Sequence, residues 1–158
     1  MTTASIQEIK KELYTLEATQ LKELCLRLAK YKKENKELLN YLLFEAQHEH
    51  TYIENVKEEI RELFKAIPSS NVYLIKKSLR KVLRFAGRQI KYSESVQTEL
   101  EVRIFFCTQV KETKVPLQSS TVLFNLYQQQ VKKIESTLAK LPEDVRGDYD
   151  REVAFILS

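Results

Sequence analysis

The chain contains very few of the residues that make tight turns. Of its 158 residues, only two are Gly and three are Pro. A β-sheet protein needs many tight turns, so this scarcity disfavours a sheet and favours helices joined by short loops. With only Gly87 and Gly147 available, a glycine-rich phosphate-binding loop is excluded.

Cysteines and long apolar runs are also scarce. The two cysteines, Cys25 and Cys107, lie far apart in apolar helical patterns, which favours free, buried thiols in a reducing cytosol. The N-terminal stretch lacks the apolar segment of a secretory signal. No run approaches the roughly 18 apolar residues of a membrane span. We therefore expect a cytoplasmic protein without a transmembrane segment.

Apolar residues recur at helical spacing almost throughout the chain. The clearest amphipathic stretch runs from Ile53 to Ile67 and is ended by Pro68, after which Ser69 or Ser70 is the expected N-cap of the next helix. We predict an all-α fold over 1–158, as a single-domain multi-helix bundle or a short stack of helical hairpins with seven to eight helices. Pro68 marks a candidate division into subdomains 1–67 and 69–158.

One segment carries two periods at once. In SVQTELEVRIFFCTQVKE, which begins at Ser95, Val96, Leu100, Ile104 and Cys107 have helical spacing, while Val102, Ile104 and Phe106 alternate as in a strand. A lone strand has no partner elsewhere in the chain. We therefore predict a helix that is buried on more than one side, with Ser93 as its N-cap.

Motifs that carry catalysis are missing. The sequence has no P-loop, GxGxxG, CxxC or HExxH pattern. His48 and His50 are the only histidines and are weak candidates for metal binding, because residues two apart on a helix point in nearly opposite directions and a transition-metal site needs three or four ligands. We predict a non-enzymatic protein with no catalytic residue and no cofactor.

The N-terminal region resembles the SAP motif, a helix–extended loop–helix unit that binds DNA. The resemblance covers residues 16–43 and rests on the leucines of LEATQLKELCLRL, the Asn35-Lys36 pair, and Leu39 and Leu43. Glu34 stands where that family carries a glycine. A heptad spacing also fits one unbroken helix across the same segment, through Leu21, Leu24, Leu28, Tyr31, Asn35, Leu38 and Leu42.

A wider resemblance covers most of the chain. The opening EIKKELYTLEATQLKELCLRLAKYKKENKELLNYLL, the later basic helix and the helix rich in Leu and aromatics look like a bacterial all-helical domain family of unknown function. The resemblance implies an all-α fold and carries over no activity.

Positive charge is concentrated in one segment. The net charge is −1 over residues 1–66, +7 over residues 67–92 and −2 over residues 93–158, which sums to +4. On a helical wheel the apolar and basic residues of IKKSLRKVLRFAGRQIK separate completely onto two faces. The basic face of 76–91 is the candidate polyanion-binding surface. Its stripe along the helix comprises Lys77, Lys81, Arg84, Arg88 and Lys91.

This basic face has four competing interpretations. Acids of neighbouring helices can neutralise it, as Glu58, Glu62, Glu99 and Glu101 are candidates to do. An acidic protein can bind it, or an anionic membrane surface can hold it. Nucleic acid can bind it through phosphates, with Tyr73, Phe85 or Tyr92 stacking on bases. We predict a non-enzymatic interaction module, with nucleic-acid binding through 76–91 as the alternative. The oligomeric state is not predictable from these features.

Overall fold

The computed structural model describes all 158 residues, and 81% of them are helical, with no strand. Eight helices have eight or more residues, which confirms the predicted all-α class. The chain divides into two compact units, residues 1–44 and residues 45–158, here called unit 1 and unit 2. The division does not fall at Pro68, because the helix before this proline packs against the two helices that follow it.

Unit 1 is a short amphipathic helix followed by a helical hairpin. Its helices are α1 (Ile6–Tyr14), α2 (Ala18–Tyr31) and α3 (Lys33–Asn40), and a π-helical turn (Tyr41–Glu45) continues α3. A capping box on Ser5 begins α1. Lys32, in an extended conformation, separates α2 from α3, and the two helices pack together. The expectation of one unbroken helix here is wrong.

Unit 2 contains the hydrophobic core of the protein. Its helices are α4 (Glu49–Lys65), α5 (Val72–Ser93), α6 (Val96–Glu112), α7 (Thr121–Leu138), α8 (Glu143–Arg146, a single turn) and α9 (Asp150–Leu157). Two short 3-10 turns (Leu117–Ser119 and Gly147–Tyr149) lie between them. All but one of the buried hydrophobic side chains of the chain belong to this unit.

Helix α6 is the centre of unit 2. It packs against α4, α5, α7 and α9, and Leu100, Val102, Ile104 and Phe106 are all at most 5% exposed. Because these residues point in different directions around the helix, α6 is buried on more than one side, as the mixed periodicity predicted. Its N-cap is Ser95 and not Ser93, since Ser93 still belongs to α5.

Helix α9 closes the bundle through a polar contact inside the core. The buried Tyr127 hydroxyl on α7 donates a hydrogen bond of 2.5 Å to the carbonyl oxygen of Ile156, and the Ile156 side chain is 2% exposed. Lys111 donates to the carbonyl oxygen of Phe155 at 3.0 Å, near the C-terminal end of the helix dipole where a cation is favourable. These bonds hold the last helix against α6 and α7.

Candidate functional site

The candidate site is the outer face of α5, and local sequence explains where this helix begins and ends. The Asn71 side chain accepts hydrogen bonds from the backbone N–H groups of Tyr73 (2.9 Å) and Leu74 (3.3 Å), so Asn71 is the N-cap and the expectation of Ser69 or Ser70 is off by one or two positions. Glu94 ends the helix in the left-handed region, with φ of 57°. At 22 residues, α5 is about 33 Å long.

One face of α5 is anchored in the core. Ile75, Leu79, Val82 and Ala86 are each at most 4% exposed, and Ile90 is 8% exposed. These residues recur every three or four positions, which is the spacing of one helical face. They pack towards α4 and α6, so α5 has a fixed orientation and its remaining surface is held outward.

The outward surface of α5 carries all seven of its basic side chains, here called the basic face. Five are exposed and two are half-buried. The exposed ones are Lys77, Arg80, Lys81, Arg84 and Lys91, and the half-buried ones are Lys76 and Arg88. Lys77 and Lys91 lie fourteen residues apart, so the basic face extends over about 21 Å.

No residue of the basic face forms an ion pair. The six ion pairs of the protein use only cations outside α5. The four acids that the sequence offered as neutralising partners are all engaged elsewhere. The pairs are Glu58–Arg61, Glu62–Lys65, Glu99–Arg103 and Glu101–Lys57. These carboxylates therefore do not neutralise the basic face, which keeps a formal charge of +7.

The three aromatic residues proposed for stacking differ in their accessibility. Tyr73 is 63% exposed, Phe85 is half-buried and Tyr92 is 9% exposed. Tyr92 belongs to the core and is not available to a base, which corrects the expectation from the sequence. The Lys76 ammonium lies 5.2 Å from the centroid of the Tyr73 ring, a cation–π distance. Only Tyr73 offers an open aromatic surface beside the cations.

Gly87 lies in α5, and a glycine in a helix allows another backbone or a ligand to approach closely. A Cβ atom built at this position meets no atom within 4 Å, and the residue has no positive φ. No close contact therefore requires glycine there.

A polar cluster that sequence reasoning missed lies between α4, α6 and the turn before α9. The Glu101 carboxylate accepts hydrogen bonds from Lys57 (3.1 Å), Gln97 (2.9 Å) and Tyr149 (3.3 Å). It lines a pocket of about 340 Å³. Two of the partners, Lys57 and Tyr149, lie 44 and 48 residues from Glu101 along the chain. Glu, Lys and Tyr at such separations form no recognisable motif.

The protonation states in this cluster are fixed near neutral pH. Burial raises the pKa of Glu101, but the hydrogen bonds from Gln97 and Lys57 outweigh it, and the net pKa lies below the ordinary 4.5. Burial, followed by the charge of Glu101, raises the pKa of Tyr149 to about 12. Near neutral pH Glu101 therefore accepts and Tyr149 donates, and their hydrogen bond links α6 to the turn before α9.

The histidines do not meet in a metal-binding arrangement. His48 is the N-cap residue of α4 and His50 lies in the first turn of that helix, and both are exposed. No group of three or more His, Cys, Asp or Glu side chains is placed to hold a metal ion. The adjacent Glu49 instead joins helices, because its carboxylate accepts hydrogen bonds from Ser93 and from the fully buried Thr98.

The two cysteines differ in environment. Cys107 is buried in the core, and burial raises its thiol pKa to about 12. Cys25 is exposed, which corrects the expectation that both thiols are buried. Neither forms a disulfide.

Unit 1 presents an apolar surface of its own. Thirteen of the twenty large hydrophobic side chains that are exposed in the chain belong to it. A groove of about 190 Å³ runs between α2 and α3, lined by Leu28, Leu38 and Leu42 among others. The Asn35 side chain donates a hydrogen bond of 2.8 Å to the carbonyl oxygen of Leu28, which closes the end of α2. Within residues 16–43 a single extended residue, Lys32, connects α2 to α3, whereas the SAP motif has an extended loop between its helices.

Comparisons of the chain with protein-family models, curated proteins and solved structures give no match. The two resemblances seen in the sequence therefore stay interpretations of the residues. No helix is both long enough and apolar enough to cross a membrane.

Proposed function

We propose that this protein is a non-enzymatic interaction module that binds an anionic partner through the basic face of α5. The observation that carries the proposal is the absence of any ion pair among its seven cations. Like charges at i, i+4 repel one another and destabilise a helix by a few tenths of a kcal/mol per pair. A bound polyanion offsets this repulsion.

The charge distribution of unit 2 supports the same proposal. Residues 45–158 contain 18 basic and 16 acidic residues, and seven of the basic ones but none of the acidic ones lie in α5. The remainder of the unit therefore has 11 basic and 16 acidic residues, a net charge of −5 beside the +7 of α5. Such a separation of charge orients the molecule towards an anionic surface during encounter.

The polar pocket around Glu101 does not change this proposal, because its carboxylate already accepts three hydrogen bonds from the protein itself. We also propose a cytoplasmic location, on the basis of the two cysteines that remain free.

The test measures binding of two chemically different polyanions, heparin and poly-glutamate, at low salt. The triple variant Lys77→Glu, Lys81→Glu, Arg84→Glu changes three exposed cations of the basic face. The matched control, Lys132→Glu, Lys133→Glu, Lys140→Glu, makes the same change of charge at three exposed cations outside α5.

We expect the α5 variant to lose at least about tenfold in affinity and the control to lose much less, because both variants change the net charge equally and only the α5 variant removes cations that contact the polyanion. Circular dichroism checks that both variants remain helical. An equal loss in both variants, or no binding of either polyanion by the unmodified protein, would contradict the proposal.

A further inference from the structure

We infer that the anionic partner of α5 is double-stranded DNA, held through its phosphates. This inference rests on the proposed function and names the class of its partner. It draws on the dimensions of the basic face, on the accessibility of the aromatic and amide side chains beside it, and on what lies between the cations.

The dimensions of the basic face match those of a duplex groove. The seven cations occupy an arc of about 140° on the helical wheel, and a helix with its side chains is about 10–12 Å across. The two edges of the arc therefore lie roughly 10 Å apart, close to the roughly 12 Å width of the B-DNA major groove. Cations along both edges can reach phosphates on both strands.

The aromatic side chains of α5 offer too few exposed rings for a single strand to stack on. Proteins that bind single-stranded nucleic acid present several aromatic rings on which successive bases stack. Here Tyr92 is buried, Phe85 is half-buried, and the exposed Tyr73 stands alone in the first turn of α5. A single strand would gain its phosphate contacts here but little stacking energy.

The amide side chains of α5 are already engaged. Asn71 uses its side-chain oxygen to cap the helix, and the side-chain oxygen of Gln89 accepts a hydrogen bond of 2.7 Å from Tyr52. Asn and Gln are the residues that recognise adenine in the major groove. With both committed to the fold, no amide of α5 is left to recognise adenine. We assign the remaining contacts of Lys and Arg to phosphates and therefore expect binding that depends little on base sequence, whereas contacts of Arg or Lys with guanine would make it depend on sequence.

An acidic protein fits the basic face less well. Protein interfaces have an apolar centre from which charged residues are depleted. Between Lys76 and Lys91 the exposed side chains of α5 are Lys77, Arg80, Lys81, Arg84 and Lys91, and all of them are charged. The exposed apolar side chains of α5 are confined to its first turn. A duplex, which carries about one negative charge per 1.7 Å of its axis, matches such a surface without apolar contacts.

The experiment compares affinities of the full chain for a panel of probes. The probes are two duplex DNAs of about 20 base pairs with unrelated sequences, the corresponding duplex RNA, one of the single strands, heparin and poly-glutamate. About 20 base pairs at roughly 3.4 Å each exceed the length of α5 and leave no end effects. Each affinity is measured between about 50 mM and 200 mM salt.

We expect the two DNA duplexes to bind at least about fivefold more tightly than the single strand and than the duplex RNA, whose major groove is too narrow for α5. The two DNA sequences should differ by less than about twofold. With five phosphate contacts, affinity for the duplex should fall roughly 500-fold over this range of salt. The variant Lys77→Gln, Lys81→Gln, Arg84→Gln should lower the slope of log affinity against log salt by about three, at unchanged helicity, because each lost phosphate contact removes about one.

The outcomes separate the inference from the proposed function. Binding of poly-glutamate without binding of any duplex overturns the inference and leaves the proposed function standing, as does tighter binding of the single strand than of the duplexes. A preference above about tenfold between the two DNA sequences overturns binding through phosphates alone. Failure of every probe to bind overturns both.

Discussion

Helices α4 and α5 are neighbours in the same bundle. Both bury an apolar inner face, but the cations of α4 form ion pairs and those of α5 do not. On α4 each cation pairs with an acid three residues earlier, in the pairs Glu54–Lys57, Glu58–Arg61 and Glu62–Lys65. On α5 seven cations have no acid in their own helix and no ion pair with another.

The comparison shows that a charged helix surface is not by itself a binding surface. Each Lys or Arg of α4 is paired with an acid within one turn, as is usual for a solvated helix. The basic face of α5 is left open, at a cost in helix stability. Changes to the two helices should therefore have equal effects on their inner faces and unequal effects on their outer faces.

The largest effect is expected on the inner faces. Ile60 of α4 is 0% exposed and Leu79 of α5 is 1% exposed. Replacing either residue by Ala should lower the free energy of unfolding by about 2–5 kcal/mol, because both changes leave a cavity in the same core. Urea denaturation of the two variants measures this. A loss below about 1 kcal/mol for Leu79→Ala alone would show that α5 is not anchored as described.

The next largest effect is expected at the ion pair between Lys57 of α4 and Glu101 of α6. In the folded protein the pKa of Glu101 is lowered, so its interactions with Lys57 and Gln97 contribute stability above the unfolded pKa and lose it as the pH falls below about 4.5. Glu101→Gln should cost about 1–3 kcal/mol at pH 7. Thermal unfolding at several pH values measures the effect.

The control for this prediction is the pH profile of the Glu101→Gln variant itself. Its stability should change less than that of the unmodified protein below about pH 4.5, because the titrating group has been removed. Parallel profiles for the two proteins would contradict the role assigned to Glu101.

A smaller effect is expected at Gly87, which interrupts α5 with a residue of low helix propensity. Gly87→Ala should raise the free energy of unfolding by about 1 kcal/mol, since a Cβ atom at this position meets open space. Destabilisation, measured by urea denaturation, would instead point to a close contact that the structure does not contain.

The smallest effect is expected for a substitution that gives α5 the charge pattern of α4, in which an acid precedes each cation by three residues. Lys77→Glu removes like-charge repulsion and places a carboxylate three residues before Arg80 and four before Lys81, so it should stabilise the helix by about 0.5 kcal/mol. The same change should weaken polyanion binding. Thermal unfolding and heparin affinity, measured on one sample, check both signs. Lower stability together with unchanged affinity would remove the distinction drawn between the two helices.

The sequence predicts the helices better than it predicts their partners. The double periodicity of 96–112 was enough to infer a helix buried on several sides, because a lone strand has no partner. The N-caps at Asn71 and Ser95 were misplaced by one or two residues, since Ser, Thr and Asn in one loop are nearly equivalent as caps.

The candidate site was only partly predictable for the same reason. The absence of acids between residues 67 and 92 is plain in the sequence. Whether Glu58 or Glu101 neutralises α5 depends on how α4 and α6 are rotated about their axes, which is set by packing. One local signal was available, because each cation of α4 already has an acid three residues before it. The burial of Tyr92 and the cluster around Glu101 depend on contacts between distant residues and had no local signal.

The most direct test of the central claim maps where a polyanion touches the folded chain. Lysine acetylation, followed by mass spectrometry with and without heparin, compares Lys77, Lys81 and Lys91 of α5 with Lys132 and Lys133 of α7, which are also exposed. We predict that heparin protects the three lysines of α5 and leaves the two of α7 as reactive as before. Equal protection of both sets, or protection of Lys132 and Lys133 alone, would contradict the assignment of α5 as the binding surface.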